Sequence, residues 1–470
     1  MAARTHDAPL FLAPLEMDAS PLMVALAEVL TAPATPSRTS RPVTPHLRAL
    51  TGARFLAAVL VVAYHFLRVP VAPGPGPLHV ATQALNNLIS SGFTGVSFFF
   101  ILSGFILAYT YIVPTRGLRV TPRRFWLARA ARLYPIYLLA LAVAFIPYLG
   151  WGVSSAQSCY GAPAGAVPHH AAVTGVAAIF MVQAWLPCAM RWNPPAWSLS
   201  AEAFFYLLFP LIAVGIARLR RRRLVGAAIG AWGVTLALSL AYLVLRPDAG
   251  VQAGWAGRYW SWILYSDPLA RLPEFVMGAA LGRLFLERRV TRLPRNILNP
   301  RVLAPLAAAA IVLALCLDIL PDVFYKIVAL DPLFALLVYS LAFGVGPLAS
   351  LLSLPRMVLL GDASYAVYIL HWPIHLWFGH IAGALPLPAS LWPPSRPAPF
   401  AVYLCVVLAA AVLSVRYVER PAQRALKRVF ERWTPLPALT GGVGTPRTPY
   451  RTDTDKAVAG GDGALCPAAR

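Results

Sequence analysis

Eleven apolar stretches punctuate the middle of this chain, at 51–68, 92–113, 131–150, 171–187, 203–218, 224–245, 272–286, 303–320, 327–352, 363–382 and 398–418. Each approaches the ~20 residues that carry a helix across ~30 Å of hydrocarbon. The links between them are unevenly charged. Arg116, Arg119, Arg123, Arg124 and Arg129 fall in 114–130, and Arg220, Arg221, Arg222 and Arg223 form a second cluster. Arg288, Arg289, Arg292, Arg295 and Arg301 fall in 287–302, and Arg420, Arg424, Lys427, Arg428 and Arg432 follow the last stretch. Segments 69–91 and 151–170 hold no Lys or Arg and read as outer loops. Short basic links face the cytoplasm. Strict alternation through eleven crossings would put 220–223 outside. The conflict disappears if 171–187, interrupted by Gln183 and followed by Pro187, Pro194 and Pro195, does not cross. The pattern predicts an all-α polytopic membrane protein with about ten transmembrane helices and both termini cytoplasmic.

The ends of the chain read differently. Residues 1–45 carry Asp7, Glu16, Asp18 and Glu28 among repeated prolines, with no continuous apolar core, so they do not fit a signal peptide and read as a disordered cytoplasmic tail. Residues 434–470, rich in Pro, Gly and Thr, also read as disorder, which leaves 46–433 as the membrane domain. Composition agrees: 59% hydrophobic, 12% charged and a mean hydropathy of +0.65 do not describe a soluble globular chain. The net charge of +22 is almost all arginine, and it suits contact with anionic membrane lipid. Nucleic acid is not implied, because basic and aromatic residues do not interleave outside the membrane segments. Five scattered cysteines exclude a zinc framework or a disulfide scaffold. Cys159 and Cys188 share the outer face, where a disulfide and two thiols both remain open.

Against this background the polar residues inside apolar stretches stand out. Arg54 and His65 are eleven positions apart, which returns a helix to within ~20° of its starting face and separates the two by ~16 Å. Ionisable groups on a membrane helix are costly unless they face a protein interior or a water-filled cavity. Four further constellations follow. In GVSFFFILSGFIL (95–107), Gly95, Ser97, Ser103 and Gly104 let another helix approach closely. In RRFWLARAARLYP, Arg129 and Arg132 share a helix face, and two guanidiniums at that spacing suit a phosphate clamp. In WNPPAWSLSAEAFFYLLFP, Ser198 or Ser200 can cap a helix with Glu202 in its first turn, while Glu202 beside Trp197 and Tyr206 could also bind a hydroxyl-bearing substrate. In LGDASYAVYILHWPIHLW, His371 and His375 lie one turn apart; with no third ligand motif, aromatic packing around Trp372 and Pro373 outweighs metal binding, and no metal is expected.

Taken in order with RLPEFVMGAALG (271–282) and YVERP (417–421), these motifs resemble the integral-membrane acyltransferase family 3, which includes bacterial O-antigen O-acetylases and macrolide O-acyltransferases. The resemblance runs from about 46 to 425. It implies transfer of an acyl group, often acetyl, from acetyl-CoA or another acyl-CoA to a hydroxyl of a sugar, cell-surface glycan or secondary metabolite. It also implies His65 as the essential histidine with Arg54 as its partner, Arg129 and Arg132 as donor-phosphate ligands, and a role for Glu202 and Ser198 in the WSLS-x-E motif. His65 would act as general base, or pass the acyl group on covalently. Arg54 lies too far along the helix to touch His65, which assigns it to the donor or to a pore between the two faces. The rival reading is an exporter using Arg54 and His65 as a proton relay. Transporters often repeat their hydropathy pattern internally, whereas these constellations occur once each.

Overall fold

The computed structural model describes residues 47–150, 171–186, 192–250, 258–288, 299–317, 328–384 and 396–433. The two terminal tails and the Cys159/Cys188 pair lie outside them. The described chain is almost entirely helical. Helix α1 (Arg48–Phe66) is followed by α2 (Pro77–Ser90), which passes through a 3₁₀ turn (Gly92–Thr94) into α3 (Gly95–Tyr111). A two-stranded antiparallel hairpin, β1 (Ile112–Val113) with β2 (Gly117–Leu118), pairs Ile112 with Leu118 and leads to α4 (Pro122–Gly150). Then come α5 (Ala171–Ile179), α6 (Trp197–Ala217), α7 (Arg221–Leu245), α8 (Tyr259–Ser266), α9 (Pro268–Arg288) and α10 (Pro300–Leu317). The last elements are α11 (Asp331–Leu341), α12 (Pro347–Leu352), α13 (Pro355–Asp362), α14 (Ser364–Ala384), α15 (Pro397–Ser414) and α16 (Arg420–Trp433), the final two joined by a π-helical turn (Val415–Glu419). Proline opens α2, α12, α13 and α15, where its missing N–H would have had no partner anyway.

Among the described residues, seven helices are long and apolar enough to cross a membrane. The protein is therefore a polytopic all-α membrane protein. The 21-residue helices α9 and α14 are not among the seven. The first carries Arg271, Glu274, Arg283 and Glu287, and the second three histidines and a proline, so hydropathy alone does not count them. Several expected elements change shape. The stretch 171–187 contains a nine-residue helix, ~14 Å at 1.5 Å per residue, too short to span hydrocarbon alone. The stretch 327–352 divides into α11 and α12 around Gly344 and Gly346, both at positive φ. Segment 69–91, read as an outer loop, contains α2.

Close helix packing and repaired proline breaks hold the bundle together. Helices α3 and α9 lie backbone to backbone: a methyl group at Gly104 would collide with the carbonyl of Phe275, and one at Gly278 with the carbonyl of Ile101. Behind them Phe100, Phe205 and Phe275 stack in series, with ring centroids 5.1 Å apart at each step.

A proline inside a helix leaves the carbonyl four residues earlier without its N–H partner, and in hydrocarbon that carbonyl must find another. Three such carbonyls do, each on a different element. Pro210 frees Tyr206, whose oxygen accepts from Trp126 Nε1 of α4 at 3.1 Å. Pro147 frees Val143, which accepts from Trp377 Nε1 of α14 at 2.8 Å. Pro373 frees Ile369, which accepts from Asn193 Nδ2 at 2.9 Å. Each bond staples two elements together. Trp126→Phe and Trp377→Phe keep most of the ring but orphan a carbonyl, so each should lower unfolding free energy by ~1–3 kcal/mol, measured by thermal unfolding in detergent. Wild-type melting temperatures in both variants would contradict the staple.

Candidate active site

Helices α1, α3, α4, α6 and α14 enclose a chamber of about 150 Å³. Its polar lining comes from Arg54 of α1, Ser103 of α3, Arg129 and Arg132 of α4, Ser198, Glu202 and Tyr206 of α6, and Ser364, Tyr365 and Tyr368 of α14. Phe99, Phe100, Ile106 and Leu199 supply apolar walls. Arg129 and Arg132 share one face because they are three residues apart on an unbroken stretch of α4. The Arg129 guanidinium donates to Tyr111 Oη at 2.9 Å and lies 5.3 Å from the Tyr111 ring and 5.9 Å from the Tyr206 ring, while its buried Nε has no hydrogen-bond partner. Arg132 is ion-paired with Glu419, which the π-helical turn carries into the bundle, and lies 5.9 Å from the Tyr365 ring. Glu202 Oε1 accepts from Ser103 Oγ at 2.8 Å and from Tyr206 Oη at 2.5 Å. Three guanidiniums thus face two carboxylates, Glu202 and Glu419, and an anion would complete the balance.

The α6 terminus corrects the capping expectation. The helix starts at Trp197 with Ala196 at the N-cap and no side-chain cap. Ser198 is inside the first turn, its hydroxyl 3.1 Å from the Pro195 carbonyl and 2.7 Å from Tyr368 Oη, and Ser200 Oγ accepts from the Ala184 amide at 3.3 Å. Glu202 consequently falls in the second turn, where its side chain meets Ser103. Trp197 does not line the chamber: it packs 4.8 Å from Tyr265 and 6.0 Å from Phe100.

His65 is likewise absent from the lining. It sits further along α1 in a cluster with Phe66, His371, Trp372 and His375. The His65 and His371 ring centroids are 5.0 Å apart. His65 Nδ1 lies 2.8 Å from the Val61 carbonyl; a carbonyl only accepts, so Nδ1 is the donor there, and in the uncharged ring the lone pair falls on Nε2. Tyr368 lines the chamber one turn before His371, their ring centroids 6.0 Å apart, so chamber and histidine cluster adjoin along α14. Among the described residues, no group of three or more His, Cys, Asp or Glu side chains is placed to hold a metal ion.

Comparison with known proteins bears on this arrangement directly. A family model described as an acyltransferase domain, acyltransferase family 3, matches residues 47–416. The chain belongs to that family. It is 30% identical over 389 residues to acyltransferase MdmB of Streptomyces mycarofaciens, covering 81% of this chain and 93% of that protein. It is 29% identical over 297 residues to the exopolysaccharide production protein ExoZ of Rhizobium meliloti (strain 1021), covering 62% of this chain and 79% of that protein. YrhL of Bacillus subtilis (strain 168), provisionally named a peptidoglycan O-acetyltransferase, is 24% identical over 379 residues, covering 76% of this chain and 54% of that protein. No solved structure shows a significant match. The protein is a membrane acyltransferase.

The acyltransferase also holds a second charged cluster, within the RLPEFVMGAALG stretch (271–282), to which sequence alone assigns no role. Arg271 and Glu274 of α9 are fully buried and ion-paired at 3.0 Å; Arg271 donates to Ser97 Oγ at 2.8 Å, and Ser97 Oγ lies 3.2 Å from Glu274 Oε1. Buried Asp331 of α11 lies within electrostatic reach of both. The available signal was an opposite-charge pair three residues apart inside an apolar stretch. Removing one partner of a buried pair leaves the other charge uncompensated. Arg271→Met should therefore cost ~3–5 kcal/mol of stability, and Arg271→Met/Glu274→Leu should recover most of it. Equal unfolding midpoints for Arg271→Met and wild type would remove this cluster from the structural account.

Proposed function

We propose that this acyltransferase moves an acyl group, acetyl in the first instance, from acyl-CoA to a hydroxyl of a sugar, cell-surface glycan or secondary metabolite. The observation that carries the reading is the convergence of Arg54, Arg129 and Arg132 on one chamber with a carboxylate, Glu202, in its wall. Coenzyme A is a polyanion with a long neutral arm. Its phosphates suit the guanidinium forks of Arg129 and Arg132, with Arg54 adding a third charge on the path towards His65. The names of ExoZ and the B. subtilis relative point to carbohydrate acceptors.

On this reading the donor enters from the cytoplasm. Arg116, Arg119, Arg123 and Arg124 lie before the Arg129/Arg132 pair, and Arg420, Arg424, Lys427 and Arg428 follow Glu419, so basic residues gather at the end of the bundle where that pair lies. The proposal retains ten crossings with cytoplasmic termini in the cell's inner or plasma membrane: the seven apolar spans, α9 and α14 as polar-lined spans, and the broken α11–α12 segment as the tenth. His65, with Nδ1 held by Val61, offers Nε2 to the reacting centre either as general base for the acceptor hydroxyl or as acyl carrier. Glu202, fixed by Ser103 and Tyr206, orients the donor end of the chamber.

The direct test is acetyl-CoA binding to detergent-purified protein, wild type beside Arg129→Ala/Arg132→Ala. Loss of charge-assisted hydrogen bonds worth ~1.5–3 kcal/mol each should weaken binding at least ~10-fold. Unaltered binding in the folded double mutant would place the donor elsewhere. His65→Ala should bind donor normally while transfer falls at least ~100-fold, and retained transfer would remove His65 from the chemistry.

A further inference from the structure

Two imidazoles, His65 and His371, stand side by side in the cluster that adjoins the chamber, and the proposed reaction uses one. His371 is fully buried, with Nδ1 2.5 Å from the Tyr368 carbonyl, which fixes its proton there just as Val61 fixes that of His65. Its Nε2 is buried without any hydrogen-bond partner. Core histidines ordinarily satisfy both nitrogens. The helix around it is held from both sides: Tyr403 Oη donates to the His371 carbonyl at 2.6 Å, and Asn193 secures the Ile369 carbonyl freed by Pro373. His375, one turn on, also has a buried nitrogen without a partner, Nδ1, but its ring is stacked on Phe66 with centroids 3.9 Å apart. The free nitrogen is thus positioned, and the ring that carries it is 5.0 Å from His65.

This geometry bears on the choice left open above. An imidazole whose Nδ1 proton is tied to a carbonyl has one working nitrogen. If His65 Nε2 carries the acyl group it cannot also take the proton of the attacking hydroxyl, so a covalent route needs a second base. We propose that His371 is that base and that the acyl group passes through His65; the proposal rests on the assignment of His65 made above. In the first step His65 Nε2 attacks the thioester carbonyl, the carbon–sulfur bond breaks and the thiolate leaves with its electron pair, giving an acyl-imidazolium that keeps Nδ1–H on Val61. In the second step the acceptor oxygen attacks the acyl carbon and its proton passes to His371 Nε2. The carbon–nitrogen bond then breaks with its electrons returning to His65. The His371 imidazolium finally gives its proton to the thiolate, directly or through solvent. The sum is thioester plus hydroxyl giving ester plus thiol.

The test uses full-length purified protein and radiolabelled acetyl-CoA, with water as the acceptor. His371→Gln, which keeps bulk but offers no base, should bind donor like wild type, acquire hydroxylamine-sensitive label at His65 and hold it at least ~10-fold longer than wild type. His65→Ala should take no label. His371→Asn is read in the same way, with donor binding confirming that either variant is folded. Donor-bound His371→Gln that takes no label, or loses it as fast as wild type, overturns the proposal. If His65→Ala is nevertheless inactive in transfer, His65 remains the base of a direct reaction and only the relay is lost. Transfer surviving in His65→Ala would instead defeat the reading beneath it.

Discussion

Hydrocarbon offers no hydrogen bonds, so each backbone group within the membrane must be satisfied by the protein, and the helices of this enzyme break that rule locally wherever a proline interrupts them. The repair creates specificity. Trp126, Trp377 and Asn193 each reach across to one freed carbonyl, and the carbonyls belong to α6, α4 and α14, three of the five helices that enclose the chamber. The bond at Ile369 falls between Tyr368, which lines the chamber, and His371, which faces His65. Residues that look like helix breakers are therefore the points at which the site helices are pinned in register.

Charge is treated in two contrasting ways in the same bundle. Arg271 is answered by Glu274 one turn away and by Ser97, with phenyl and phenol rings 5.5 and 5.6 Å from its guanidinium, and the group is closed off from solvent. The chamber arginines are not answered so fully. Arg132 has Glu419, but among the described residues no carboxylate forms an ion pair with Arg54 or Arg129. That cluster sets two buried carboxylates, Glu274 and Asp331, against one guanidinium, so it has no surplus positive charge to offer a ligand. A cavity with surplus positive charge has a reason to bind something negative. That contrast, more than the presence of arginine in a membrane helix, separates the site from the scaffold.

How much of this was legible in the sequence depended on whether the signal was periodic. Arg54 and His65 were readable because eleven residues return a helix to one face, and α1 runs unbroken from Arg48 to Phe66. Arg129 and Arg132 followed from the i, i+3 rule. Helices α9 and α14 were readable as apolar stretches, yet they carry charged residues and histidines, several of them buried against protein, so hydropathy alone passes over them. Residues whose role depends on a partner distant in sequence could not be assigned. Trp197 sits in the first turn against Tyr265 because α6 begins two residues earlier than a Ser198 cap would set it, which leaves Glu202 in the second turn, where it meets Ser103. His371 looked like packing because neither the tie of its Nδ1 nor the nearness of His65 is written in the local pattern.

Helix α1 joins the two halves of the site, and its straightness gives the join a fixed length. No proline or π-bulge interrupts the eleven steps from Arg54 to His65, so the two residues are set ~16 Å apart along the axis on one face. On the proposed reading, the arm of the donor runs from the arginine-lined chamber, past Arg54, to the histidine cluster beside it. On that reading, binding energy gathered at the arginines is converted into position at the histidines.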